Sequence, residues 1–321
     1  MPATSANDLV FDVVGLGALN MDHWYRVPSI ELDGEQVIVD QGSSPGGSSA
    51  NTIYALGRLG LKAAFIGVVG DDQAADEILS DFQRANVIVS GIARRQGKSG
   101  HTVCLVDKLA HRSIYVNAGV NNDLSDSDVN FTWLQKTKVL HISSFVGDAQ
   151  LGLQIRIAQQ LSKDVIFSFA PGALYCHRGL QSLAPILARA DILFLNQAEI
   201  SQLGGEKFEA AVQKLHQVGC RRIVVTSAGH DRLWFASDQD SEVWGTKKLL
   251  DALPIDDATG AGDAFAAGFL HGLISGKNLR TCGVLAQLVA EFCLSAHGPR
   301  IGLPPAEMLF QAFESVQNQD D

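Results

Sequence analysis

The stretch Asp257-Ala258-Thr259-Gly260-Ala261-Gly262-Asp263 has the residue types and spacing of an anion site with a base beside it. Small residues at Gly260, Ala261 and Gly262 let successive backbone N–H groups turn toward one anion at the start of a helix, where partial positive charge gathers. A carboxylate at Asp263 would repel phosphate if the turn only held it. It fits a reaction in which Asp263 takes a proton from an attacking hydroxyl while the amides hold the negative charge. The same letters also describe a tight turn whose Asp caps the next helix, and spacing alone leaves both readings open.

A second cluster, Pro45-Gly46-Gly47-Ser48-Ser49-Ala50-Asn51, runs into apolar residues Ile53, Leu56 and Leu59 at helical spacing. Gly46 and Gly47 permit close backbone approach. Asn51 falls on the first turn of that helix, where its amide suits either a substrate hydroxyl or local backbone.

Both turns must be carried by strands and helices. Short apolar runs alternate with amphipathic segments, the pattern of a mainly parallel α/β sheet covered by helices. The expected central strands are Val10–Leu16, Ala63–Val69, Val139–Ser143, Val165–Phe169, Ile192–Leu195 and Ile223–Thr226. The expected helices are Ser48–Leu59, Gln73–Arg84, Ala149–Leu161, Leu180–Ala188, Phe208–Gln217, Gly262–Ser275 and Leu279–Ala296. His23–Pro28 with Gln36–Gln41, and His101–Asp107 with Arg112–Asn117, lack a helix between their halves. They read as a small antiparallel subdomain inserted in two pieces, about 23–42 and 101–117, into a single domain spanning 1–321. Such a piece suits a lid, and its exposed edge suits pairing of two copies into a homodimer.

Composition narrows the function. A net charge of -10 with no long Lys/Arg run argues against a nucleic-acid partner. Five scattered cysteines without a CxxC pair suggest buried thiols in a reducing compartment. No apolar run approaches a bilayer span and the first residues form no secretory signal, so no membrane is expected and the cytoplasm is the expected location.

In this order and separation, the two clusters resemble the paired signatures of the ribokinase (pfkB) family of carbohydrate kinases. Gly15–Asp22 resembles the family's first strand and substrate turn, Phe65–Asp72 its second Gly-rich turn, and Asn196-Gln197-Ala198-Glu199 its NxxE element. The resemblance spans about residues 10 to 305. It implies a Rossmann-like domain with a β lid and transfer of phosphoryl from ATP to a hydroxyl of a sugar, or of a nucleoside as the alternative. By the same resemblance Asp263 is the base and Gly260, Ala261 and Gly262 the anion hole. Asn20, Asp22, Gly46, Gly47 and Asn51 take substrate, and Asn196 and Glu199 sit near Mg²⁺ and the phosphates. Thr226, Ala228 and Gly229 belong to the nucleotide turn. Asp257, Thr259 and Gly298 stand where many members hold a monovalent cation such as K⁺.

Three segments depart from the family pattern. The nucleotide turn has Ala228 and Asp231 where glycines are usual, with Gly229 shifted by one. Ala170 precedes Pro171 where many relatives carry Asp or Asn, and Ser143-Ser144-Phe145 lacks an acidic residue that some sugar-specific members have. Two other functions compete. A dinucleotide oxidoreductase would use Gly15-x-Gly17, but Asn20 stands at the third small position and no acidic residue follows in a βαβ unit. A sugar-binding protein without turnover would explain the altered nucleotide turn, yet leaves Asp263 without a role.

Overall fold

Apolar runs buried on both faces become the central strands, and β4 shows the rule, with every residue of its Ala63-Ala64-Phe65-Ile66-Gly67-Val68-Val69 buried. The computed structural model describes residues 10–109, 111–205, 208–226, 232–237, 241–245, 249–250, 253 and 257–320. The chain opens with β1 (Phe11–Leu16), then β2 (Asn20–Val27), β3 (Asp40–Gly46), α1 (Ser48–Arg58), β4 (Ala63–Val69) and α2 (Gln73–Arg84). It continues through β5 (Ile88–Arg94), β6 (Gly100–Asp107), β7 (Arg112–Asn117), α3 (Phe131–Gln135) and β8 (Thr137–Ser143). Next come α4 (Asp148–Gln160), β9 (Ile166–Ala170), α5 (Gly172–Cys176), α6 (Gly179–Leu187) and β10 (Ile192–Asn196). α7 (Gln197–Gly204), α8 (Phe208–Gln217), β11 (Arg222–Thr226), β12 (Arg232–Ser237) and β13 (Ser241–Gly245) follow. The last elements are α9 (Ala261–Ile274), α10 (Leu279–Leu294) and α11 (Ala306–Asp320).

Nine strands form the large sheet in the order β13-β12-β11-β10-β9-β8-β1-β4-β5. Those from β11 to β5 run parallel, and β12 and β13 close one edge as an antiparallel hairpin. Alternation sorts consecutive residues to opposite faces. Val14, Ile66 and Leu140 pack under α4, α6 and α8, while Val13, Phe65 and Val139 pack under α1, α9 and α10. The expected α/β architecture holds. β5, β12, β13, α7 and α11 were not foreseen from sequence.

The small sheet has the order β3-β2-β6-β7. The expectation that it is antiparallel is wrong at its centre, because β2 and β6 pair parallel from Asn20↔Gly100 to Val27↔Asp107. Each hairpin is antiparallel within itself, but both leave the same edge of the large sheet in the same direction, so their first strands meet side by side. The second strand of the first hairpin also lies later than expected, over Asp40–Gly46 rather than Gln36–Gln41. Among the described residues no helix is long and apolar enough to cross a membrane, and all five cysteines are buried and free.

Helix α9, which carries Asp263, is anchored by Phe269, wholly buried and edge-on to Phe194 with ring centroids 5.6 Å apart. Phe269→Ala should cost about 3–5 kcal/mol through lost burial and the cavity left behind. Urea unfolding checks this, and a loss under 1 kcal/mol would show that α9 is held elsewhere.

Candidate active site

The cleft lies where the carboxyl ends of the parallel strands meet the small sheet, the position where open α/β sheets bind ligands. It encloses about 330 Å³. Residues following β1, β8 and β9 form its floor, and one face of the small sheet forms its wall. Asn20, Asp22, Trp24 and Arg26 on β2 all face it, as do Thr102, Cys104 and Val106 on β6. A period of two is what a strand with one face on the cleft must show.

Asp263 sits in the first turn of α9. Ser48 Oγ donates to its Oδ1 at 2.7 Å, and Asn51 Nδ2 donates to its Oδ2 at 2.9 Å. Both donors come from the first turn of α1, so the two Gly-rich turns found in the sequence meet at this carboxylate. Burial is the main influence on Asp263 and lifts its pKa to about 6, against the two donors that favour the charged form. Gly260, which precedes α9, has φ 79°, and a Cβ there would lie 2.4 Å from Pro299 Cβ. The turn therefore needs glycine; Ala261 N donates to Ala258 O at 3.4 Å, and the amides of Gly262 and Asp263 follow in the first turn of α9.

Asn51 is oriented from behind. Arg300 Nε donates to Asn51 Oδ1 at 2.9 Å, which leaves the amide nitrogen to face Asp263. Arg300 Nη1 pairs with Asp81 Oδ2 at 2.7 Å, and the guanidinium lies over the rings of Tyr54 and Phe82. Sequence reasoning missed Ser48, Arg300 and Asp81. Their spacings along the chain are too long for any local motif, although Ser48 lay within the singled-out cluster.

On the opposite wall, Asp22 Oδ1 accepts from Thr102 Oγ1 at 2.7 Å, and burial raises the Asp22 pKa above the usual carboxylate range. A Cβ at Gly46 would fall 1.8 Å from Asp22 Oδ2, so Gly46 makes room for this carboxylate. Asn20 is buried and its Oδ1 accepts from Asn121 Nδ2 at 3.0 Å. Gly47 precedes α1 at φ 106° and also lines the cleft.

The expected cation group is brought together. Asp257 Oδ1 accepts from Thr259 N at 2.9 Å and from Thr259 Oγ1 at 2.8 Å, while Oδ2 accepts from Gly298 N at 3.0 Å. Burial works to raise the Asp257 pKa, but these bonds outweigh it and hold the group below its ordinary value. Asn196 and Glu199 form a capping box at the start of α7, with Asn196 Oδ1 accepting from Glu199 N and Glu199 Oε2 accepting from Asn196 N, both at 2.9 Å. They and Thr226 stand at the ends of β10 and β11, on the same sheet edge but outside the cleft lining. Ala228 and Gly229 lie outside the described residues. Among the described residues no group of three His, Cys, Asp or Glu side chains could hold a metal ion by itself.

Comparison with known proteins bears on the family and the fold. The family model described as pfkB family carbohydrate kinase matches residues 10–306. An uncharacterized sugar kinase of Archaeoglobus fulgidus is 35% identical over 252 residues, 78% of this chain and 98% of its own length. An ATP-dependent ribose-1-phosphate kinase of Halopiger xanaduensis is 31% identical over 260 residues, 80% of this chain and 83% of its own length. The structure of Arabidopsis thaliana ribokinase complexed with ribose and ATP superposes with a TM-score of 0.81 at 22% identity, covering 95% of this chain and 99% of that one.

The raised pKa of Asp263 has a consequence for stability. The unfolded carboxyl titrates near 4, so between about pH 4 and 6 the folded chain binds the extra proton and stability falls as pH rises through that window. Above pH 6 the charged carboxylate is a standing cost. Asp263→Asn should therefore melt above wild type at pH 7.5, with the gap closing as pH falls toward 4. Thermal melts across this range check it, and a variant equal to or below wild type at every pH would contradict it.

Proposed function

The chain belongs to the pfkB family of carbohydrate kinases, and from that premise we propose that the cleft around Asp263 moves the γ-phosphoryl group of ATP onto a hydroxyl of a small sugar. The observation that carries this reading is the convergence of the anion turn and the Ser48–Asn51 turn on one carboxylate. In phosphoryl transfer the protein has little covalent chemistry to perform, so positioning and charge neutralisation dominate.

Each residue has a task in this scheme. Asp22 and Asn20 accept hydroxyl hydrogens of the sugar and fix its ring against the small sheet. Asp263 accepts the proton of the attacking hydroxyl as its oxygen bonds to the γ-phosphorus and the bond to the departing ADP breaks. The amides of Gly260, Ala261, Gly262 and Asp263 hold the negative charge on the transferred group. Ser48 and Asn51 keep the Asp263 carboxylate in one orientation. The small sheet acts as a lid that excludes water.

Magnesium, when bound, neutralises the phosphate oxygens. Glu199 and Asn196, at the sheet edge, would hold its waters. A potassium-sized ion beside Asp257, Thr259 and Gly298 would brace the anion turn. The nucleotide is taken by the sheet edge near Thr226, which Ala228 and Gly229 follow in the sequence.

Sugar-dependent ADP release, followed over pentoses, ketohexoses, sugar phosphates, sugar acids and nucleosides with ATP and magnesium, tests the proposal. Asp263→Asn should lower kcat by about 10²–10⁴, the range for loss of a general base. A variant that keeps more than a third of wild-type kcat would remove Asp263 from the role of base. No ADP release with any acceptor would refute phosphoryl transfer. Rates should also depend on the monovalent ion; equal turnover in potassium, sodium and a large organic cation would remove the ion from Asp257.

A further inference from the structure

The wall that presents Asp22 to the cleft does not end there. Along β2 the same face carries Trp24 and then Arg26, and the register across the small sheet sets Arg26 beside Val106 and Val106 beside Arg112. Arg26 and Arg112 thus stand in one row, two strands apart, roughly 10 Å between backbones. Both side chains face the same ends of the cleft. Arg26 Nη2 lies 2.5 Å from His297 Nε2, and Arg112 Nη1 donates to Thr259 Oγ1 at 3.4 Å. Among the described residues neither guanidinium forms an ion pair. The nearby carboxylate of Asp257 is instead taken by Thr259 and Gly298.

Two guanidiniums on one wall of the cleft, with only Val106 between them in the register and neither paired with a carboxylate, form a site that an anion completes. The anion turn at Gly260 already serves the transferred phosphoryl group. The arginines lie on the sugar wall, four residues or about 13 Å along β2 from Asp22. That is the span of a sugar ring and an attached phosphate once the arginine's own length is subtracted. Resting on the phosphotransfer reading above, we infer that the acceptor is a sugar that already carries a phosphate, clamped by Arg26 and Arg112, and that the product is a sugar bisphosphate. Guanidinium forks match phosphate oxygens two at a time, which makes this a selective contact.

The test pairs ribose with ribose-1-phosphate and ribose-5-phosphate, and fructose with fructose-6-phosphate. ADP release and binding by calorimetry are measured for wild type, Arg26→Gln, Arg112→Gln and the double variant, with melting temperatures confirming the folds. At least one sugar phosphate should exceed its parent sugar by a hundredfold or more in kcat/KM. Each single variant should cut that preference about tenfold or more, the loss of one charge-assisted contact. A parent sugar used as well as its phosphate would overturn the inference while leaving the kinase intact. So would variants that slow both acceptors by one common factor, since the arginines would then serve the transferred phosphoryl group. If no acceptor releases ADP, phosphotransfer fails and calorimetry still decides. A sugar phosphate held by wild type and lost by the double variant supports the clamp, and no binding to wild type overturns it.

Discussion

The proposed reaction depends on one constraint: a carboxylate must be kept charged in surroundings that favour its neutral form. Asp263 sits half-buried at a helix start on the cleft wall, and two donors from α1 hold both of its oxygens. Free water would solvate the charge better and would also compete for the transferred phosphoryl. In the proposed reaction a carboxylate with two fixed hydrogen bonds meets both requirements, at some cost in stability.

Much of the surrounding structure serves that arrangement. Asn51 can donate to Asp263 only if its amide is held the right way round, and Arg300 fixes this by donating to the oxygen. Arg300 in turn needs Asp81 and two aromatic rings to be tolerated in the interior. The line Asp81–Arg300–Asn51–Asp263 ties α2 and α1 to the start of α9 and to the turn after α10. The anion turn has a separate brace, with Asp257 accepting from Thr259 and Gly298. The two braces meet only at the turn itself, so one orients the Asp263 carboxylate while the other shapes the Gly-rich turn.

The sequence made the large sheet legible because parallel strands buried on both faces read as unbroken apolar runs, as in Ala63–Val69. β5 escaped because Ile88–Arg94 is an edge strand whose residues are mostly partly exposed. The parallel pairing of β2 with β6 was not readable, since alternation fixes which face a residue takes but not which distant strand lies beside it. Asp263, Asn51 and the glycines between them were readable because they fall inside two short clusters. Arg300 was not: nothing beside it in the chain marks a guanidinium that acts on Asn51, 249 positions away. The NxxE element was visible, but sequence pointed to metal waters, whereas the structure first shows a helix cap at the same residues.

The central claim is that Asp263 works as a charged base whose pKa is set by burial and by the Asn51–Arg300 line. The pH dependence of kcat/KM, measured for wild type and Arg300→Met, tests it most directly. Wild type should lose activity as pH falls through about 6, with a slope of one proton. Arg300 lowers the Asp263 pKa, so removing it should move that limb to higher pH in the folded variant. A wild-type profile flat from pH 5 to 8, or an identical limb in both proteins, would contradict the account.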